Sequence, residues 1–350
     1  FQDSVTGERR PTLARSSIPR SNSFVLGENL SSGQRQAART SSVSSFFDDG
    51  TDPHQVLRDP ESGQLRMWYR THQGSFPLAD GRMAKEALLY ATSVDGIEWT
   101  KPELGLHPWQ GSAANNILGP QMQAHSLLYE PDDPDPARRY KALMVTREPR
   151  GKSKGVFNLG TSPDGISWTK HPAAIALMSG RPAAGFRGKQ VGLGDTNSLL
   201  FDAKLGRYIW HTKVFVGGKR ARAMLESDDL VHWTAPRVVL CADQLDPPDA
   251  QLSDMHPLPY ESLWIAPLRV YRWREFKQVE IQLAHSRDGR HYARTADRQV
   301  FLPLGAEDAW DADYNICANP FFVDMGDELW ICLLYTSDAA DEGIGVDLGG

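Results

Sequence analysis

The chain has 350 residues, 40% of them hydrophobic and 23% charged, and a net charge of −6. This is the composition of a globular protein long enough to bury a large core. No run approaches the ~18 apolar residues of a membrane span, and nothing is basic enough for a nucleic-acid surface. Cys241 and Cys317 have no partners at metal-ligand spacing and make no disulfide framework, so each reads as a small buried apolar residue.

Residues 1–45 hold eleven serines, several arginines and little apolar alternation, and read as an irregular leader or linker. Phe24-Val-Leu26 allows a short strand there. The first residue is Phe, with no charged-then-apolar leader behind it, so the N-terminus gives no localisation.

From Phe46 the chain alternates between two kinds of hairpin. The first kind begins at Asp52-Pro53-His54, turns at Asp59 to Gly63 and returns through Leu65 to Tyr69. It recurs at His125–Tyr129 with Tyr140–Val145, and at Thr196–Phe201 with Tyr208–His211. Two further copies are Asp254–Leu258 with Leu263–Ala266, and Asn319–Val323 with Leu329–Ile331. Each has β-branched and aromatic runs bounded by turn residues.

The second kind carries S-x-D-G-x-x-W. Ser93-Val-Asp-Gly-Ile-Glu-Trp99 and Ser162-Pro-Asp-Gly-Ile-Ser-Trp168 have it complete. Ser227 to Trp233 has Leu230 in place of Gly, and Ser286 to Tyr292 ends in Tyr. The aromatic positions are 69, 65 and 59 residues apart. Two hairpins make a four-stranded antiparallel sheet, and such sheets at a regular period are the blades of a β-propeller. The expectation is an all-β, five-bladed β-propeller over residues 46–331, its fifth blade incomplete because no fifth S-x-D-G-x-x-W follows Ile331. The motif itself reads as structural. Asp-Gly supplies a tight turn, Ser and Asp bind nearby amides, and the aromatic ring packs between blades.

Residues 332–350 resemble a translated sequencing adapter and are set apart as a non-native tail. They carry Asp338, Asp341, Glu342 and Asp347 without a Lys or Arg, so the net charge without them is −2.

In a propeller the first strand of each blade lines the central channel. The polar residues that open the first hairpins should therefore converge, although they are far apart in sequence. They are Asp52 and His54, His125, Asp195 and Asn197, Asp254 and His256, and Asn319. Carboxylates, imidazoles and amides together suit a ligand rich in hydroxyls. Asp52, Asp195 and Asp254 are the candidate catalytic groups. His54, His125, Asn197, His256 and Asn319 are the candidate substrate contacts. The histidines come from different blades, and no metal or other cofactor is assigned.

With its five hairpin pairs, the Asp52-Pro53 start and the S-x-D-G-x-x-W turns, the segment resembles the five-bladed propeller glycoside hydrolases of families 32 and 43 and their bacterial relatives. The resemblance implies an oligo- or polysaccharide partner, with no nucleic acid or membrane, and a secreted or periplasmic location. It implies hydrolysis of a glycosidic bond, with Asp52 as base or nucleophile and later carboxylates as acid and stabiliser. Such chemistry needs one protonated and one ionised carboxyl across the scissile bond. Two departures stand out. His125 occupies the place of an R-D-P triplet, and no Glu opens the third blade. Arg58-Asp59-Pro60 does spell R-D-P, but within a turn. The rival readings are a non-catalytic carbohydrate-binding propeller, a sialidase-like propeller and a protein-interaction propeller. A sialidase would need arginines on the channel wall, where these strand starts offer His, Asp and Asn. The basic run Arg269 to Arg274 reads as an exposed strand and loop, and Trp310 as a packing ring before the fifth blade.

Overall fold

The computed structural model describes residues 24–26, 51–71, 74–78, 80–96, 98–120, 122–146, 155–177, 193–272, 278–304, 316–325 and 329–334. At a few strand positions, Asp52 and His54 among them, the backbone alone is described.

The described chain is almost entirely β. Strand β1 (Phe24–Leu26) is followed by β2 (Thr51–Arg58), β3 (Leu65–Thr71), a small ribbon of β4 (Phe76–Pro77) and β5 (Met83–Ala84), then β6 (Ala87–Ser93) and β7 (Ile117–Pro120). Next come β8 (Gln123–Tyr129), β9 (Tyr140–Thr146), β10 (Val156–Ser162) and β11 (Thr169–Leu177). The third group is β12 (Asn197–Asp202), β13 (Arg207–Val216), β14 (Lys219–Ser227) and β15 (Arg237–Leu240). The fourth is β16 (Ala250–Met255), β17 (Leu258–Tyr260), β18 (Leu263–Arg272), β19 (Gln278–Ser286), β20 (Ala293–Arg294) and β21 (Val300–Leu302). Strands β22 (Ile316–Asp324) and β23 (Leu329–Leu334) close the order. The sheets are the antiparallel blades of a β-propeller.

The blade count differs from the expectation. Among the described residues there are four large sheets, not five, because β22 and β23 share one sheet with β2, β3, β6 and β7. The cause is a single parallel bridge, Gln55 to Asn319, which carries the hydrogen-bond ladder from β22 into β2. The open edge of β23 is covered by β1, with Val25 opposite Leu333. The N-terminal strand thus extends this sheet beyond β23. Strand β23 also runs through Leu334, so the fold marks no boundary at Ile331 and lends the adapter reading of the tail no support. Residues 335–350 lie outside the described residues.

Apolar side chains pack between consecutive sheets. Leu143, Val145, Phe157 and Leu159 of the second meet Leu199, Trp210 and Leu225 of the third. Trp68, Leu88 and Tyr90 of the first meet Leu127 and Tyr140 of the second. Full burial of each such side chain stabilises by about 1.5–3 kcal/mol. Cys241 departs from expectation, being exposed.

The repeated turns close as their residue types require. In the second copy, Ser162 Oγ accepts from Gly165 N at 2.9 Å and Asp164 Oδ1 accepts from Ile166 N and Ser167 N. Trp168 Nε1 donates to Gly165 O at 2.9 Å. Gly165 has φ +77°, and a Cβ there would lie 2.7 Å from Trp68, which itself donates to Gly165 O. The third copy makes the same bonds around Leu230 at φ 67°.

Candidate functional site

The inner strands β2, β8, β12, β16 and β22 lean on one another through side-chain bonds. Gln55 Oε1 accepts from Leu127 N, and Ser126 Oγ accepts from Leu199 N. Asn319 Nδ2 donates to Ser126 Oγ at 2.8 Å and to Asn197 O at 3.0 Å. Asn197 Oδ1 accepts from Trp210 Nε1 and Thr212 Oγ1, both at 2.8 Å. Asn197 and Asn319, expected to touch substrate, are instead buried ties between and within blades, because strands crowding an axis bury amides that must find partners.

Near their starts, three inner strands carry one extra residue. The pairing with the next strand slips between Pro53 and Gln55, between Ala124 and Ser126, and between Leu252 and Asp254. The extra residues are His54, His125 and Ser253. Such bulges re-aim a side chain out of the pleat.

His125 is turned toward the third blade. Its Nδ1 lies 2.7 Å from Asp195 O, and its Nε2 lies 3.0 Å from Gln123 Oε1. That amide oxygen also accepts from Arg70, so the amide is oriented from the first blade. Arg70 stands opposite Asp52 in the β2–β3 register. The side chains of Asp52 and His54 lie outside the described residues, as does Trp310.

Asp195 is 51% exposed and bonds Lys213 Nζ, itself 9% exposed, at 2.5 Å. Burial raises its pKa, but Lys213 and then His125 outweigh that and hold the carboxyl below its ordinary value. Lys213 is pushed below the usual lysine value by burial, against the opposing pull of Asp195. Gly194 allows this approach, since a Cβ there would lie 2.6 Å from Lys213 Cβ.

Asp254 is 6% exposed and bonds His256 Nε2 and Arg269 Nη2, each at 3.0 Å. Arg222 Nη2 lies 3.7 Å away. Burial pulls the Asp254 pKa upward, yet His256, Arg269 and Arg222 hold it far below the carboxylate range. Arg222 is wholly buried; it donates to Thr196 Oγ1 and Ser253 O, and burial pushes its pKa down to about 10. Thr196 Oγ1 donates to Ser253 O, which joins the Asp195 and Asp254 halves. Arg220 donates to Gln251 and stacks 5.1 Å from the Tyr271 ring.

The structure therefore brings together His125, Asp195, Asp254 and His256. It adds Lys213, Arg220, Arg222 and Arg269, which the inner-strand reading missed because they stand on β13, β14 and β18. A signal was there: Lys219-Arg-Ala-Arg222 alternates charge into an otherwise apolar strand, as a buried polar face would. Arg269 was expected on an exposed run and is largely buried against Asp254. Asp59 is a turn residue, accepting from Glu61 N and Ser62 N. Among the described residues no group of three or more His, Cys, Asp or Glu side chains could hold a metal ion.

No family model and no curated protein matches the chain. Solved structures do. A glycoside hydrolase superposes with a TM-score of 0.54 at 11% identity, over 83% of this chain and 88% of that one. An N-acetylgalactosamine deacetylase from F. plautii, solved with blood group B trisaccharide, gives 0.52 at 16%, over 88% and 80%. A thermostable family-43 glycoside hydrolase gives 0.50 at 8%, over 78% and 81%. At these identities the likeness shows the shared fold.

Proposed function

We propose that this chain is a carbohydrate-active propeller that binds a saccharide at the mouth around Asp195, with β22 and β23 serving as the inner part of a fifth blade. One observation carries the reading: a half-exposed ionised carboxylate, fixed by Lys213, beside His125 at the end of the inner strands. Ionised carboxylates with nearby imidazoles and cations bind sugar hydroxyls well. The propeller glycoside hydrolases of like fold support the same class.

Binding is favoured over hydrolysis by the charge state of the described carboxylates. Hydrolysis needs a protonated acid facing an ionised partner, and cations hold both Asp195 and Asp254 ionised. Hydrolysis stands as the second reading, favoured by Asp52 opening β2 in an Asp-Pro setting; Asp52 and Asp195 form its pair and Asp254 its stabiliser. Calorimetric titration with fructo-, arabino-, xylo- and uronate-containing oligosaccharides tests the binding role. At least one is expected to bind with micromolar to millimolar affinity and to lose ten-fold or more in Asp195→Ala. Saccharides that bind neither form sink the proposal. Release of reducing ends, absent in Asp52→Asn and in Asp195→Asn, selects hydrolysis.

A further inference from the structure

Among the described residues, the cations Lys213, Arg222 and Arg269 outnumber the carboxylates bonded to them. Lys213, Arg222 and Arg269 stand on neighbouring strands, with Lys213 opposite Arg222 in the β13–β14 register. Among the described residues the carboxylates bonded to them are Asp195 and Asp254. Arg222 meets Asp254 only at 3.7 Å, and its closer partners, Thr196 and Ser253, are neutral. The side chains of Lys213, Arg222 and Arg269 are 9%, 0% and 15% exposed, so water screens them weakly.

A second observation is independent of the charges. Among the described residues, Arg222 Nε and Arg269 Nε are buried and find no hydrogen-bond partner. A buried donor without an acceptor costs about 1–3 kcal/mol. The cluster is therefore incompletely compensated from within, and a negative group at its open side, beside Lys213 and Arg269, lowers the energy of the whole network.

We infer that the mouth selects a saccharide bearing an anionic group, a uronate carboxylate or a sulfate ester, held by Lys213 and Arg269. This rests on the saccharide-binding reading above and goes beyond it by naming the class. It also revises the comparison with sialidase-like propellers. The strand starts lack arginine, but the neighbouring strands supply it.

The test compares matched ligands by calorimetry on the full chain: an oligogalacturonide against its methyl ester, and a sulfated galacto-oligosaccharide against its desulfated form. The acidic member of at least one pair is expected to bind ten-fold or more tightly, and the favoured pair identifies the source of the charge. Asp195→Asn removes a competing carboxylate while keeping the side-chain shape, so the acidic-to-neutral affinity ratio should rise at least three-fold. Lys213→Gln should lower that ratio. Circular dichroism on both variants verifies the fold. Equal affinities within both pairs overturn this inference and leave saccharide binding standing. Absence of binding to all four ligands, with binding of a neutral fructo-, arabino- or xylo-oligosaccharide, likewise overturns it; only failure of those neutral saccharides as well removes the saccharide-binding reading.

Discussion

The outer turns and the inner mouth treat polar groups in opposite ways. At each S-x-D turn, serine and aspartate answer the amides around them within the same seven residues, as Ser162 and Asp164 do for Asp164 N, Gly165, Ile166 and Ser167. At the mouth, charged groups from β13, β14, β16 and β18 share partners across two blades and leave buried nitrogens unanswered. The first arrangement is local and self-sufficient. The second exists only when the blades assemble, and it keeps capacity for a further acceptor.

The strongest way to break the contrast is to remove one carboxylate from each side. Asp254→Ala leaves Arg222 and Arg269 buried without their counter-ion and should cost about 3–5 kcal/mol in urea unfolding. Asp164→Ala at a turn removes exposed backbone bonds and should cost about 1–2 kcal/mol. Equal losses would show that the mouth is no more interdependent than the rim.

Acid sharpens it next. His211 is wholly buried between the two regions, its Nε2 3.4 Å from the Tyr292 hydroxyl of the fourth turn. Burial, with Arg222, Arg237 and His256 nearby, lowers its pKa from 6.5 to about 3. Between those values the unfolded chain holds a proton that the native chain refuses. Stability from this group is full above the unfolded value and falls with acid by about 1.4 kcal/mol per pH unit. Asp195 and Asp254, whose pKa values are depressed, add losses only below their unfolded 3.8. Urea midpoints from pH 7 to pH 4 should decline in the parent, and the decline should be shallower in His211→Gln. Parallel slopes would refute a neutral His211.

The smallest effect lies within the rim. Leu230 holds φ 67° while its side chain is fully buried. Leu230→Ala and Leu230→Gly both lose that burial, but only glycine relieves the left-handed backbone, which costs other residues about 1–2 kcal/mol. Glycine should exceed alanine in stability by about 1 kcal/mol, the reverse of the usual order in regular structure. Thermal melting of the two variants decides it.

What could be read from the chain follows the same division. Hairpins and turns are written in contiguous residues, so Ser93 to Trp99 and its relatives reveal sheets at once. The mouth is assembled from residues such as His125, Lys213 and Arg269, and nothing local relates them. Inner-strand logic found His125, Asp195, Asp254 and His256 because they open first hairpins. It overlooked Lys213, Arg220 and Arg222 because mid-strand cations ordinarily face water, and it misread Asn197 and Asn319 because a crowded axis turns amides into struts. The number of separate sheets departs from five where one bridge, Gln55 to Asn319, joins two hairpin sets, a long-range pairing that no spacing announces.

The backbone at Leu230 has a consequence for recognising such chains at all. The third turn keeps its bonds from Ser227, Asp229 and Trp233 although its glycine is gone. The inheritance that matters is a serine, an aspartate two places on and an aromatic ring four beyond that. A pattern that insists on glycine would tally three repeats here where the molecule folds four, and would misjudge the size of the ring. Relatives whose turns have drifted further at that one position would vanish from such a search while keeping the same architecture.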